Sequence, residues 1–400
     1  MNAATVLRAP RVFDGEQLRE GPHEVRVEER CITAVVAASP NPSNDVSAHL
    51  DNATILPGLV DAHVHLAFDA SPDINALVRY DMPAAAALRS SMNARKHLKA
   101  GITTVRDLGS PGGIVVDVAR AVGTPLLPVA PRIVAAGQVL TITGGHGFFM
   151  GREVDGSDAF RRGARAEIKR GAQALKVVAT GGVITEQGFP GAPAMTLPEL
   201  SAVVEEAHKA GLRVAAHAHG TEGIKNAIRA GVDTIEHASY LDDEGIELFL
   251  ERDAWMVSTL IASERLMPHL DDPKMPAHVR DKIRDHTSQE AASLERAIKA
   301  GVRIVAGTDA GTGYNPHGGL PEQIALLVRH GMTPERALSA ATRDAARAIG
   351  LAETHGRLAI GRRADLLVVE GNPLADLGAL RKVRAVYLRG HFVNTAGAAA

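Results

Sequence analysis

Histidine, lysine and aspartate side chains recur along this chain, each within or at the end of a short apolar run that predicts a β-strand. In a barrel of parallel strands, the carboxyl ends of the strands meet at one mouth, and active sites form there. Imidazole nitrogens and carboxylate oxygens bind zinc and related divalent ions. The pattern therefore predicts a metal site that activates water for hydrolysis. Its members are His63, His65, Lys176, His217, His219, His237 and Asp309.

His63 and His65 lie two residues apart in the segment DAHVHL. Residues with this spacing project from the same side of a strand. By itself such a pair is more often incidental than metal-binding, so the prediction depends on the other members. His217 and His237 end two further predicted strands, and Asp309 ends another. This coincidence favours one shared metal site.

Lys176 lies inside an apolar predicted strand, LKVV. Burial of an ammonium group is costly and lowers its pKa. A neutral amine beside two cations can react with carbon dioxide to form a carbamate, whose two oxygens can bridge two metal ions. The alternative, a lysine that reaches out of the strand or pairs with Asp309, stays open at this point.

A repeated pattern in the middle of the chain indicates how these residues are positioned. Helical segments end in a basic residue and a glycine, as in Lys299-Ala300-Gly301, and an apolar strand follows. Glycine closes a helix in the left-handed conformation, and the cation faces the negative end of the helix. Strands that alternate with helices predict a parallel sheet, here an α/β fold of the (β/α)8 TIM barrel type, with a doubly wound open sheet as the alternative. The predicted strands lie near 59–65, 102–107, 131–136, 174–179, 213–219, 233–237, 255–259 and 303–309.

The two ends of the chain have short alternating apolar runs separated by turns. We interpret residues 1–56 and 357–400 as one small β-sandwich domain built from both termini, with the barrel of residues 57–356 inserted between them. A closing helix is predicted over 334–349, with Thr333 as its N-cap. Two long loops are predicted over the barrel mouth, at 180–195 and near 260–287.

Composition narrows the function classes. The formal charge of −2 gives no basic face for nucleic acid or for an anionic membrane. Cys31 is the only cysteine, so no internal disulfide can form. The N-terminus has no secretory pattern, and no apolar run approaches the roughly 20 residues that span a bilayer. We therefore expect a cytoplasmic, homo-oligomeric protein that acts on a small molecule.

The motifs LPGLVDAHVHL, LKVVATGG, VAAHAHG, TIEHAS and VAGTDAG resemble those of the amidohydrolase superfamily. The resemblance is strongest to its imidazolonepropionase-like and prolidase-like members, which include Xaa-Pro and Xaa-Arg dipeptidases and ochratoxin-type amidases. The segment GRRADLLVVEGNPL fits as well, so the resemblance covers nearly the whole chain. It implies two divalent ions, usually zinc. It also implies the ligand roles: His63, His65 and Asp309 for the more buried ion, His217 and His237 for the second, and a carboxylated Lys176 bridging both.

Four residues are predicted to contact substrate. His219 is left for this role because the resemblance assigns its neighbour His217 to the metal. His146 follows the third predicted strand in a glycine-rich loop. Arg152 and Tyr240 could bind a substrate carboxylate, although a surface or packing role is the favoured interpretation for each. Asp107, at the end of the second predicted strand, is interpreted as a cap.

The expected reaction is hydrolysis of an amide or peptide-like C–N bond in a dipeptide or N-acyl amino acid. A hydroxide bridging the two metal ions attacks the carbonyl carbon, His219 helps to polarise the carbonyl oxygen, and Asp309 carries the proton to the leaving nitrogen. Cleavage of a cyclic amide, lactone, carbamate or urea on the same centre is the main alternative. A mononuclear deaminase would leave Lys176 without a role, and a non-catalytic relative would not need the full ligand set.

Overall fold

The computed structural model describes residues 4–39 and 46–393. Strands come first from the N-terminal segment, then from the middle of the chain, and last from the C-terminal segment. In chain order they are β1 Thr5–Phe13, β2 Leu18–Glu28, β3 Cys31–Ala37, β4 Ala48–His49, β5 Ala53–Pro57, β6 Leu59–Val64, β7 Ile102–Asp107, β8 Arg132–Ala135, β9 Val139–Thr141, β10 Gly151–Glu153, β11 Ala174–Val178, β12 Arg213–Ala218, β13 Thr234–His237, β14 Trp255–Ser258, β15 Ile304–Ala306, β16 Leu366–Glu370, β17 Val383–Leu388 and β18 His391–Val393.

Helices lie between the middle strands and after β15. In chain order they are α1 Ile74–Tyr80, α2 Pro83–Lys99, α3 Ile114–Ala121, α4 Ser157–Arg170, α5 Leu197–Lys209, α6 Thr221–Ala230, α7 Asp243–Glu251, α8 Leu260–Leu266, α9 Ala277–Ala300, α10 Leu320–Arg329, α11 Pro334–Ala340 and α12 Arg343–Ala348.

The middle of the chain is an α/β fold with parallel strands, as predicted. Strands β6, β7 and β8 pair in one parallel sheet, and a second parallel sheet runs in the order β10-β9-β11-β12-β13-β14-β15. Strands β7, β11 and β13 are buried along their whole length, as expected for parallel strands covered by helices. All eight predicted strands are present, and β9 and β10 are additional short strands that the apolar pattern did not reveal.

The strand ladders do not close into one ring. Within the described residues, only isolated hydrogen bonds cross the two seams between the sheets. The backbone N–H of His65 donates to Ala310 O at 2.8 Å at one seam, and that of Gln173 donates to Ala135 O at 2.8 Å at the other. Strand β15 ends at Ala306, earlier than the predicted strand over 303–309.

Both chain ends contribute to one further sheet. Its order is β18-β17-β16-β5-β1-β2-β3, with β4 beside β1, so strands from residues 5–57 and 366–393 pair directly. Alternate residues of β16 face two different clusters: Leu366 and Val368 pack in a core of the sheet's own, and Leu367 and Val369 join the main core. This alternation is the period of two that a strand imposes. The sandwich form and the domain boundaries remain predictions.

The predicted helix caps, which depend only on neighbouring residues, are confirmed. Gly171 and Gly301 cap α4 and α9 with φ of 99° and 85°, a conformation that costs glycine least. Thr333 caps α11 by accepting from the Arg336 N–H. The predicted single helix over 334–349 is wrong: α11 and α12 are separate, because Ala341 O accepts from the Val60 N–H of β6 instead of continuing the helix.

The two predicted long loops had different outcomes. Residues 180–195 lack helices and extended strands, as their glycine and proline content predicted. The segment near 260–287 is not a loop, because α8 and the first turns of α9 occupy most of it. No helix within residues 4–39 and 46–393 is long and apolar enough to cross a membrane.

Candidate active site

A cavity opens at the carboxyl ends of the parallel strands. Its empty volume, counted out to the mouth, is about 980 Å³. The predicted histidines, Lys176 and Asp309 line it together with residues of α8, α9 and the loop after β11, many of them apolar. Except for Arg152 and Tyr240, every residue predicted to act at the site lines this cavity: His63, His65, His146, Lys176, His217, His219, His237 and Asp309.

His63, His65 and Asp309 form a compact cluster. Asp309 Oδ1 lies 3.3 Å from both His63 Nε2 and His65 Nε2, and the two nitrogens are 3.4 Å apart. Ligand atoms about 2.05 Å from a tetrahedral zinc ion are about 3.3 Å from one another. The three atoms therefore have the spacing of three corners of a zinc site.

A buried ion pair orients His63. Its Nδ1 lies 2.8 Å from Glu236 Oε2, so Nε2 is the nitrogen that faces Asp309. Glu236 Oε1 accepts from Arg106 Nη2 at 3.0 Å and from Thr234 Oγ1 at 2.6 Å. A carboxylate behind a histidine in this way fixes its tautomer and raises its basicity toward a metal.

His65 is oriented by backbone. Its Nδ1 donates to Gly109 O at 3.0 Å, which leaves Nε2 for the cluster. Burial alone would lower the pKa of His65, but the hydrogen bond and charge of Asp309 outweigh it and the net shift is upward. Burial also lowers the pKa of His63, to about 4, with Lys176 as the next cause. Burial alone would raise the pKa of Asp309, but His63, His65 and Lys176 hold it below its usual range.

His217, His219 and His237 form a second cluster whose nitrogens lie within 4.8 Å of one another. Two of these rings use one nitrogen for a hydrogen bond and leave the second free for a ligand role. His217 Nε2 donates to Gly181 O at 3.0 Å, and His237 Nδ1 is 2.6 Å from Thr259 Oγ1. Burial, with the neighbouring imidazoles next, lowers the pKa of all three well below the usual range. Neutral imidazoles are the form that binds metal.

Lys176 lies among these groups on β11 and is buried. It forms no ion pair within the part of the chain that the structure describes, which argues against the alternative of a pair with Asp309. Burial lowers the pKa of Lys176 to about 8, although the charges of Glu236 and Asp309 oppose the shift. About a tenth of the lysine is therefore neutral at pH 7, far more than for an unperturbed lysine.

Backbone conformation sets two of these residues apart. His237 has φ of 72° and Asp309 has φ of 54°, left-handed values that non-glycine residues rarely adopt. Such conformations cost about 1–3 kcal/mol each and gather at functional sites. Each cluster therefore contains one strained residue, although seven further non-glycine residues of the described chain also have positive φ.

The predicted substrate contacts differ in position. His146 lines the cavity, with its ring 4.4 Å from that of His217 and Nδ1 2.8 Å from Thr185 Oγ1. Tyr240 is not among the residues that line the cavity. Arg152 is not brought to the cavity: Nη2 of its guanidinium pairs with the buried Glu167 at 3.3 Å. Asp107 is a cap, as predicted, and accepts from the Leu66 N–H at 2.7 Å.

Two polar cavity residues on α9, His286 and Glu290, were not predicted from the sequence. His286 is buried, and its ring lies 4.4 Å from that of His219. Its Nε2 is 3.2 Å from Ser239 Oγ, and its Nδ1 is 3.2 Å from the Tyr240 hydroxyl. Glu290 lies one turn further along the same helix. A helical period across residues 279–290 was the available signal, and the interpretation of this segment as a loop concealed it.

Comparison with known proteins agrees with this geometry. The model of the amidohydrolase family matches residues 54–393. Ochratoxinase from Aspergillus niger is 31% identical over 362 residues, which cover 83% of this chain and 73% of that protein. Imidazolonepropionase from Salinispora tropica is 25% identical over 372 residues, which cover 86% of this chain and 85% of that protein. A crystal structure of a Xaa-Pro dipeptidase with methionine bound in its active site has a TM-score of 0.90 at 30% identity, covering 98% of this chain and 99% of that one. The chain therefore belongs to the amidohydrolase family of hydrolases.

Proposed function

We propose that this protein is a metal-dependent hydrolase that cleaves an amide or peptide-like C–N bond in a dipeptide or an N-acyl amino acid. The observation that carries the proposal is the pair of donor clusters that line one cavity together with Lys176. The similarity to ochratoxinase and to a Xaa-Pro dipeptidase supports an amide-type substrate.

The donor set fits two divalent ions, with zinc favoured by the spacing of the first cluster. His63, His65 and Asp309 would hold one ion, and His217 and His237 the other. Bound there, the ions would supply a water-derived nucleophile at neutral pH and polarise the carbonyl group of the substrate.

Lys176 is proposed to bridge the clusters as a carbamate. The neutral amine adds to carbon dioxide, a C–N bond forms, and one proton leaves to solvent. The lowered pKa of about 8 favours this step because it raises the fraction of neutral amine. The resulting carboxylate offers two oxygens where the lysine alone offers one nitrogen.

Asp309 is the proposed proton carrier. Its Oδ1 lies 3.3 Å from both histidine nitrogens of the first cluster, and the residue lines the cavity. It would accept a proton from the attacking water and pass it to the leaving nitrogen, which avoids release of a free amide anion.

His219 is the proposed donor to the carbonyl oxygen. Its Nδ1 is 2.8 Å from Ser239 Oγ, which is 3.2 Å from His286 Nε2. If Tyr240 donates to His286, His286 to Ser239 and Ser239 to His219, then His219 carries its proton on Nε2, toward the cavity. That polarity lets His219 stabilise negative charge on the oxygen in the transition state.

We also infer that the two parallel sheets are the wall of one (β/α)8 barrel. Backbone hydrogen bonds cross both seams, and the site residues from both sheets line a single cavity. We also propose that residues 57–356 form the barrel domain and that the two chain ends form a composite domain, because strands from both ends pair in one sheet.

Replacement of Lys176 tests the proposal. In purified protein we expect about two zinc-like ions per chain and hydrolysis of simple dipeptides. Lys176→Ala should lose most of the metal and activity, and formate or acetate should restore part of both, because a small carboxylate can occupy the place of the carbamate. Elemental analysis and amide-hydrolysis rates measure the two effects.

The exposed residue Lys299 provides the control. Lys299→Ala should keep the metal content and rate of the unmodified protein. Full metal occupancy and full turnover in Lys176→Ala would overturn the bridging role, and a metal-loaded wild type that hydrolyses no amide would overturn the proposed function.

A further inference from the structure

One face of α9 lies along the cavity. Val279, Ile283, His286 and Glu290 follow one another at intervals of four, three and four residues, and all four line the wall. This spacing places them on one stripe of a helix. The stripe is apolar at its first two positions and polar at its last two, so the wall changes from apolar to polar along the helix axis.

Glu290 closes the polar end. It is only 3% exposed, and its Oε2 accepts from Ser263 Oγ at 2.5 Å. The Thr259 hydroxyl lies close enough to Glu290 to lower its pKa, and Thr259 Oγ1 lies 2.6 Å from His237 Nδ1. A single threonine therefore separates this carboxyl from a residue of the second donor cluster.

Glu290 has no cationic partner of its own in the described chain. The nearest basic group is His286 Nε2, at 3.9 Å from Oε2, and no lysine or arginine forms an ion pair with Glu290. A buried carboxylate without a counter-charge is costly, and burial raises the pKa of Glu290 to about 7 although the Ser263 and Thr259 hydroxyls oppose the shift. A cation brought by the substrate would complete the site.

We propose that Glu290 receives the α-ammonium group of the substrate and so selects dipeptides with a free N-terminus over N-acyl amino acids. The α-amine of the acyl-side residue is two bonds from the carbonyl carbon that is attacked, which suits an acceptor close to the donor clusters. The inference rests on the proposed function and deepens it, because it chooses between its two substrate classes.

Two matched compounds test the inference. Alanyl-leucine and propionyl-leucine have nearly the same shape, but only the first has an ammonium group. We expect wild type to have a higher kcat/KM for alanyl-leucine. Glu290→Gln should lower that value about tenfold or more and change the value for propionyl-leucine by less than about twofold, because only the ammonium loses a charge-assisted hydrogen bond. Glu290→Asp keeps the charge and should keep the preference.

If Glu290 acted only by positioning His237 through Thr259, its replacement would lower the metal content. Metal content therefore distinguishes that role from binding of the ammonium group. Equal loss on both compounds, or loss of metal, would show that Glu290 only supports His237 and would overturn the inference, as would unchanged kinetics in Glu290→Gln. Glu295, exposed on the same helix, provides the control: Glu295→Gln should change neither rate.

Calorimetric binding of both compounds to the metal-loaded protein gives a readout that does not need turnover. If wild type hydrolyses neither compound, the proposed function fails, and binding still decides the role of Glu290. Weaker binding of alanyl-leucine alone to Glu290→Gln supports it, and equal binding to wild type and variant overturns it.

Discussion

At the scale of single residues, the tethers behind the histidines matter as much as the histidines themselves. Both Glu236 and Arg106 are fully buried, and they form an ion pair directly behind His63. Arg106 also donates to Ala62 O at 2.7 Å, so the guanidinium joins the strand of His63 to that of Glu236. Burial alone would raise the pKa of Glu236, but Arg106 and His63 hold it at about 2. The carboxylate is therefore charged at any working pH.

Glu236→Gln should weaken metal binding by about 10- to 100-fold, because the amide cannot hold His63 in one tautomer as the carboxylate does. It should also cost about 3 kcal/mol of unfolding free energy, since Arg106 is left buried without its counter-charge. Competition with a chelator measures the first effect, and denaturant unfolding the second. Exposed Glu205 pairs with Lys209, and Glu205→Gln should leave metal affinity unchanged. Wild-type affinity in Glu236→Gln would refute the orienting role.

At the scale of elements, a close backbone contact places the loop over 180–195 against the start of α6. A Cβ on Gly220, which precedes α6, would meet Gly191 O at 1.9 Å. The same loop contributes Val183 and Ile184 to the cavity wall. The shape of the cavity therefore depends on the absence of a side chain at residue 220.

Gly220→Ala should displace this loop and lower kcat/KM on the order of 10- to 100-fold, because misplacement of groups at a site by about 1 Å has effects of this size. Metal content should fall less than kcat/KM, since no metal-binding side chain lies on the loop, although the Gly181 carbonyl that accepts from His217 does. Gly211→Ala is the comparison: its Cβ would meet nothing within 4 Å, but its φ of 71° is strained for alanine. It should cost about 1–2 kcal/mol of stability and leave kcat/KM intact. Equal kinetics for the two variants would contradict the argument.

At the scale of the whole molecule, a buried histidine near the junction with the terminal sheet contributes to the response to acid. His355 follows α12, and its Nε2 lies 3.5 Å from Asp365 Oδ2, just before β16. Burial, with Arg363 and Arg132 next, lowers the pKa of His355 from 6.5 to about 3. Between these pH values the unfolded chain binds a proton that the folded chain does not. The stability from this group is present above about pH 6.5 and is lost as the pH falls.

His355→Gln should remove that dependence. From pH 7 to pH 5 the unfolding free energy of wild type should fall by about 2 kcal/mol more than that of the variant. Denaturant unfolding of both proteins at the two pH values gives the difference, and contributions from the distant metal site cancel in it. If the difference in unfolding free energy between wild type and variant did not change with pH, His355 would have an ordinary pKa in the folded chain.

Much of the fold followed from local patterns. The predicted strands of the middle segment, the glycine caps and the Thr333 cap depend on apolar periodicity and on hydrogen bonds between residues a few positions apart. The family resemblance is confirmed for the same reason, since short motifs at strand ends keep their spacing. The eight-strand pattern did not predict where the ladders would break, because that depends on how strand ends far apart in the chain pack.

Apolar periodicity and short motifs were enough to predict which side chains could bind metal and which strands would present them. The residues that orient those side chains are visible only in the packed chain: Glu236 is 173 positions from His63, and nothing local links the two. In the folded chain Arg152 pairs with Glu167 away from the cavity, whereas His286 and Glu290 of α9 line the cavity wall. Alternation along a strand is set by covalent geometry, whereas a contact between distant elements exists only once packing has chosen their neighbours.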